Sequence, residues 1–298
     1  MVDSAYKNCS SALPAARIAG VGADPAVQKA GLDQGRRYED QTMINLFDTH
    51  CHMDDTAFDG DREAVIVSLP QKGVDRILWC GTDLESSLEA ASYAGRFGYI
   101  YFACGFFPHN TDKMDAEALR RLEELAKTPK CVAIGEIGLD YHYEGASRQR
   151  QISALESQLE LARRVGLPAV LHERDALPDM LALLKRCGVN NGVIHCFSGS
   201  KETAREYLDM GLYISFTGLL TFKSARLAPD AAKFAPRDRV LIETDSPYMT
   251  PVPFRGERND PSRVALVAAR LAELWGISPQ EAADITNENA RRLFAIAK

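Results

Sequence analysis

From Asn45 onward, short apolar runs alternate with segments whose apolar residues recur every three or four positions. The runs NLFDTHCH, RILWCGT, IYFACGF, CVAIGEIGLD, PAVLHE, GVIHCF, LYISFTG and VLIETD are continuous and β-rich, as expected of strands buried on both faces in a parallel sheet. Between them, ALRRLEELAK, ISALESQLELARRVG and PDMLALLKRCG have helical periodicity. SRVALVAARLAELWG and SPQEAADITNENARRLFAIA add two helices at the end. Eight strands with intervening helices predict an α/β fold, a (β/α)8 TIM-type barrel over residues 45–298, because closing eight strands on themselves leaves no sheet edge.

Residues 1–44 break this pattern. They are rich in Ala, Gly, Ser and Asp and show no sustained period, so they read as a poorly ordered N-terminal extension, with initiation at Met43 as the other reading.

Composition changes the picture only at the margins. The 298 residues suit one barrel of roughly 250 residues plus the extension. No stretch approaches the ~20 apolar residues that span a bilayer, and the first segment lacks the form of a secretory signal. Seven cysteines without a CxxC pair do not suggest a disulfide framework, and a cytoplasmic location is expected. A net charge of −6 argues against a protein that coats nucleic acid through a broad basic surface. It leaves a nuclease open, since a carboxylate cluster attracts cations that then supply positive charge to a phosphate.

The chemistry lies in the histidines. Four of the six, His50, His52, His172 and His195, fall at or near the C-terminal ends of predicted strands, the end where barrels build their active sites. His50 and His52 are spaced i and i+2 on strand one, so both project to one side. Such a pair can bind a divalent ion, although many H-x-H pairs are merely packed. Glu136 follows the apolar run CVAIG, where a charge must be paired, either with a metal or with a barrel arginine. Asp140, four residues on, either orients a ligand or caps the turn. His172 and His195 end adjacent strands five and six. Asp245 ends strand eight, which closure places beside strand one.

Two halves result, His50, His52 and Asp245 on one side and His172 and His195 on the other, with Glu136 placed to bridge them. Two divalent ions about 3.5–4 Å apart are the expected cofactors. Mixed nitrogen and oxygen ligands accept Zn²⁺ or Mn²⁺ readily, and Mg²⁺ with more waters retained.

At this point the chain resembles the TatD family of metal-dependent barrel hydrolases, from about Phe47 to Phe294. The resemblance rests on DTHCH, GEIGLDYH, PAVLHERDA, HCFSGS, TGLLTFKSA, IETDSPYMTP and RGERNDP. It implies that His50, His52, Glu136, His172, His195 and Asp245 are metal ligands. The implied activity is hydrolysis of DNA, as a 3′→5′ exonuclease on single strands or as an endonuclease. Two positions depart from the family pattern. Phe107 stands where a histidine is usual, so it either packs or stacks on a base. Glu257 replaces a basic residue and weakens attraction for phosphate.

The expected mechanism is attack by a metal-acidified water, with Asp245 as general base and Glu136 as the shared catalytic carboxylate. His109, Arg174, Lys223 and Arg255 are candidate substrate contacts, each with a surface or structural role as the alternative. His142 is expected near the site rather than as a ligand. One rival is a metal-dependent amidohydrolase or esterase, such as a D-aminoacyl-tRNA deacylase, since the same site can attack a carbonyl carbon. Many two-metal amidohydrolases bridge their ions with a carboxylated lysine where this chain has Glu136. The other rival is a silent barrel that binds metal or a protein partner, and the intact ligand set opposes it.

Overall fold

Eight strands and the helices between them follow the predicted alternation in a computed structural model that describes residues 43–297. The strands are β1 (Leu46–Cys51), β2 (Val74–Cys80), β3 (Ile100–Cys104), β4 (Cys131–Asp140), β5 (Ala169–Arg174), β6 (Gly192–Ile194), β7 (Tyr213–Phe216) and β8 (Val240–Ile242). They are parallel and hydrogen-bonded in sequence order. The helices are α1 (Arg62–Ser68), α2 (Leu84–Arg96), α3 (Ala116–Ala126), α4 (Arg148–Val165), α5 (Leu177–Cys187), α6 (Lys201–Asp209), α7 (Leu227–Phe234), α8 (Val264–Trp275) and α9 (Pro279–Leu293). Of the extension expected over residues 1–44, only Met43 and Ile44 lie within the described residues. Met43 is buried against the core, and the Ile44 N–H donates to Gln280 on α9.

Alternation along each strand sorts the apolar side chains into two cores. Ile77, Trp79, Leu171, Ile194, Phe216 and Ile242 pack against the helices. Leu78, Cys80, Val170, Val193, Tyr213 and Leu241 form a separate inner cluster, which Leu293, Phe294 and Ile296 close from below. The side chain two positions beyond an inner residue again faces inward, and that position is the functional one: His172 after Val170, His195 after Val193, Glu243 after Leu241.

The ring closes between β8 and β1 without a full ladder. Beyond β8, the Asp245 N–H donates to the His50 carbonyl at 2.9 Å and the His52 N–H donates to the Ser246 carbonyl at 2.8 Å. Asp48, fully buried, accepts from the Thr244 backbone N–H and hydroxyl at 2.7 and 2.6 Å, which ties this segment to β1. No described helix is long and apolar enough to cross a membrane, and no disulfide joins the described cysteines.

Candidate metal centre

Glu136 is placed by an irregularity in β4. The β4–β5 register shifts between Ile134 and Ile137, and Gly135, at φ +145°, carries the backbone through a region that L side chains avoid. Gly138 is equally constrained, since a Cβ there would stand 1.9 Å from the His172 carbonyl oxygen. These glycines let β4 lie close against β5 while the Glu136 carboxylate enters the mouth.

Around that carboxylate the imidazoles divide as the strands do. Glu136 Oε2 lies 3.4 Å from His50 Nε2 and 3.3 Å from His52 Nε2. Its Oε1 lies 2.9 Å from both His172 Nδ1 and His195 Nε2. Asp245 Oδ1 joins the first group, 3.5 Å from His52 Nε2 and 3.9 Å from His50 Nε2. Asp245 holds a left-handed backbone at φ +54°, strained for a residue with a Cβ and stabilised by its bond to β1. The predicted site residues from β1, β4, β5, β6 and the end of β8 therefore meet, and Glu136 is surrounded by imidazoles rather than paired with an arginine.

The outer nitrogens fix the tautomers. His52 Nδ1 lies 3.0 Å from the Cys80 carbonyl oxygen, which can only accept, so that nitrogen carries the proton. His172 Nε2 faces Asp140 Oδ2 at 3.2 Å, and His195 Nδ1 faces Glu243 Oε1 at 3.3 Å. In each neutral imidazole the inward nitrogen then presents a lone pair, as in carboxylate–histidine–metal arrangements. His50 Nδ1 faces the Cys80 thiol at 3.5 Å. The inward nitrogens stand within 3.1 Å for His50 and His52 and 3.0 Å for His172 and His195, a spacing at which bare lone pairs would repel unless a proton or a cation lies between them. The donor set fits divalent metal.

Proton affinities reflect the same crowding. Burial works against the Glu136 carboxylate, yet the imidazoles, His195 foremost, hold it well below the usual range. Burial also opposes the protonated forms of His52 and His195, but neighbouring carboxylates push both well above an ordinary histidine, Asp245 acting mainly on His52 and Glu136 on His195. His50 moves down, from burial and from the facing His195.

A cavity of about 790 Å³ opens over the site. His109 and Arg174 line it. His109 Nε2 stands 3.5 Å from Asp140 Oδ2, and the Arg174 guanidinium lies 4.6 Å from the Tyr143 ring centre. Lys223 and Arg255 do not line it. Both are exposed, and Arg255 lies 3.8 Å over the Phe222 ring. Phe107 borders the cavity with its ring 4.9 Å from that of His172, at 70°. Glu257 is bonded to Arg263 at 2.7 Å, away from the cavity.

The TatD related DNase family model matches residues 47–295. This chain belongs to that family. Its TatD relatives include YabD of Bacillus subtilis, named an uncharacterized metal-dependent hydrolase, 43% identical over 84% of this chain and 99% of the relative. The 3′-5′ ssDNA/RNA exonuclease TatD of Citrobacter koseri is 35% identical over 85% of this chain and its own full length. The crystal structure of the TatD homologue YjjV from Escherichia coli superposes with a TM-score of 0.81 at 33% identity, over 85% of this chain and 99% of that one. Like other TatD proteins, the chain is a metal-dependent hydrolase acting on ester bonds, with a cluster of histidines and glutamate suited to metal at the mouth of its barrel.

Sequence reasoning missed two TatD-barrel residues that hold this site together. Glu243 bonds the Cys196 N–H at 2.6 Å while facing His195, and Asp48 anchors Thr244. The available signal was a carboxylate inside an apolar strand run, at LFDTH and VLIETD.

Proposed function

We propose that the chain is a two-metal nuclease that trims single-stranded nucleic acid from its 3′ end. One observation carries this reading: Glu136 presents one oxygen to the His50–His52 pair and the other to the His172–His195 pair. His50, His52, Asp245 and Glu136 would hold one cation, and Glu136, His172 and His195 the other, with Mg²⁺ the expected working metal. Divalent cations supply Lewis acidity at a phosphoryl oxygen and lower the pKa of water.

The remaining work belongs to side chains of this protein. Asp245, whose carboxyl stays below its ordinary range despite burial because His52 and the other imidazoles face it, accepts the attacking water's proton at a carboxylate oxygen. Asp140 and the Cys80 carbonyl keep protons on the outer nitrogens of His172 and His52, and Glu243 faces that of His195. His109 has both nitrogens buried without a hydrogen-bond partner and borders the cavity, which places it for the phosphate or the leaving group. The exonuclease name of the Citrobacter relative, aligned over its full length, supports the substrate. The cavity lies within the roughly 300–1,000 Å³ that accommodates small ligands, suited to a strand end.

Metal-stripped protein repleted with Mg²⁺, Mn²⁺ or Zn²⁺ tests this on 3′- and 5′-labelled single and double strands, beside a D-aminoacyl-tRNA. Stepwise shortening of single strands from the 3′ end is expected. Deacylation without strand cleavage would replace the nuclease by an esterase.

A further inference from the structure

Among the described residues, seven carboxylates and a single guanidinium or ammonium group, that of Arg174, line the cavity. Proteins that hold nucleic acid through its phosphates place lysines and arginines along the strand. Here the phosphates beyond the one being cleaved would meet Asp54, Asp55, Glu173 and Asp175. Beyond the cleaved phosphate, affinity for a strand end must therefore draw on a part of the nucleotide that carries no charge.

Four aromatic side chains other than histidine border the same cavity: Phe107, Tyr143, Phe197 and Tyr248. Three of them are committed elsewhere. Phe107 packs at 70° to the His172 ring, Phe197 is buried among Tyr207 and Phe216, and the Tyr248 hydroxyl donates to Asp55 at 2.6 Å. Tyr143 also meets an imidazole edge-on, that of His142 at 4.8 Å, but it keeps 38% of its surface exposed at the rim. Arg174 reaches it from the end of β5, its guanidinium 4.6 Å from the ring centre. The backbone brings the two segments together, because the Tyr141 N–H donates to the Arg174 carbonyl at 2.9 Å and carries the β4–β5 ladder into the loop. Inward from Tyr143 stands His109, ring centres 6.3 Å apart, and then Asp140 and His172.

We propose that Tyr143, braced by Arg174, is the platform on which the enzyme stacks a nucleobase next to the cleaved bond. This rests on the nuclease reading given above. An aromatic ring accepts any base, because every base has a π face, so the platform confers preference for unpaired ends without sequence preference. A base inside a duplex already has both faces occupied and is excluded. A guanidinium against the ring holds it in place and lowers the ordering cost of binding.

The test compares wild type with Tyr143→Ala and Tyr143→Phe in the metal-replete full chain. One oligonucleotide ends in an ordinary 3′ nucleotide and the other has abasic sites at its last two positions. For the ordinary end, Y143A is expected to raise KM about tenfold to a hundredfold with kcat within a few-fold, while Y143F matches wild type. On the abasic end, wild type and Y143A should have equal kcat/KM. Quenching of a terminal 2-aminopurine on binding should appear with wild type and Y143F and vanish with Y143A. Equal losses on both substrates would make Tyr143 merely structural, and an unchanged KM would remove the platform while leaving the nuclease intact. Wild type that cleaves neither oligonucleotide would overturn the nuclease reading and this inference with it.

Discussion

Asp140 Oδ2 lies 3.2 Å from His172 Nε2, the imidazole nitrogen that points away from Glu136. The contact holds the proton on Nε2 and turns Nδ1 toward the centre. Asp140 is itself held, its N–H donating to Gln151 at 2.8 Å and its other oxygen accepting from the His142 N–H at 2.9 Å. Replacing Asp140 by Ala is expected to weaken metal affinity about 10–100-fold, as is usual when such an outer partner is lost. Titration calorimetry on metal-stripped protein measures this. Unchanged affinity would show that His172 needs no orienting partner.

Replacing Asp245 by Asn keeps an oxygen at the metal but removes the proposed proton acceptor. Metal content by elemental analysis should fall by less than half, while turnover drops at least about a hundredfold, the scale of general-base catalysis. Full activity in the metal-replete variant would exclude Asp245 as the base.

Gly138→Ala tests the close approach of β4 to β5. The added methyl would meet the His172 carbonyl at 1.9 Å, at a backbone φ of +157°. Strain and overpacking together should cost about 2–4 kcal/mol, measured by denaturant unfolding. Metal binding should suffer as well, because the collision moves the strand that carries His172. A variant as stable as wild type would contradict the contact.

A pH effect is expected far from the candidate metal centre. Arg258, in the RGERN loop, pairs with Asp61 at 2.6 Å, and this bond draws the Asp61 carboxyl below its ordinary value of 3.8. A depressed carboxylate stabilises the fold above its unfolded-state pKa, and the contribution is lost as pH falls through the lower folded value. Unfolding free energies of wild type and Asp61→Asn, from denaturant titrations, should therefore differ slightly at pH 6, by no more than about 1 kcal/mol for so exposed a pair, and converge near pH 2. A gap that widens in acid would reverse the assignment.

The strands were legible because each apolar run was long enough to be buried on both faces, and CVAIGEIGLD coincides with β4 from Cys131 to Asp140. The helix α2 was not, for a physical reason. Its buried face includes Ser86 and Ser87, whereas Leu88 is 42% exposed, so the hydrophobic period is blunted. The Ser residues are buried because they bond to Asp83 at the helix start. At the site, histidines at strand ends pointed to the cluster, since strand alternation dictates where their side chains face. Arg255 and Lys223 could not be placed the same way. They sit on loops, where sequence carries no periodicity to aim a side chain, and the structure puts both outside the cavity.

The seam that closes the barrel also delivers Asp245. A chain growing from its N-terminus possesses five of the six proposed donors once His195 has been added, yet the sixth comes fifty residues later. It reaches the other five only when the segment after β8 bonds back to His50 and His52. Ring closure and the gain of the proposed proton acceptor are thus one event, so a partly folded barrel that captures a cation would still lack the group assigned to activate water.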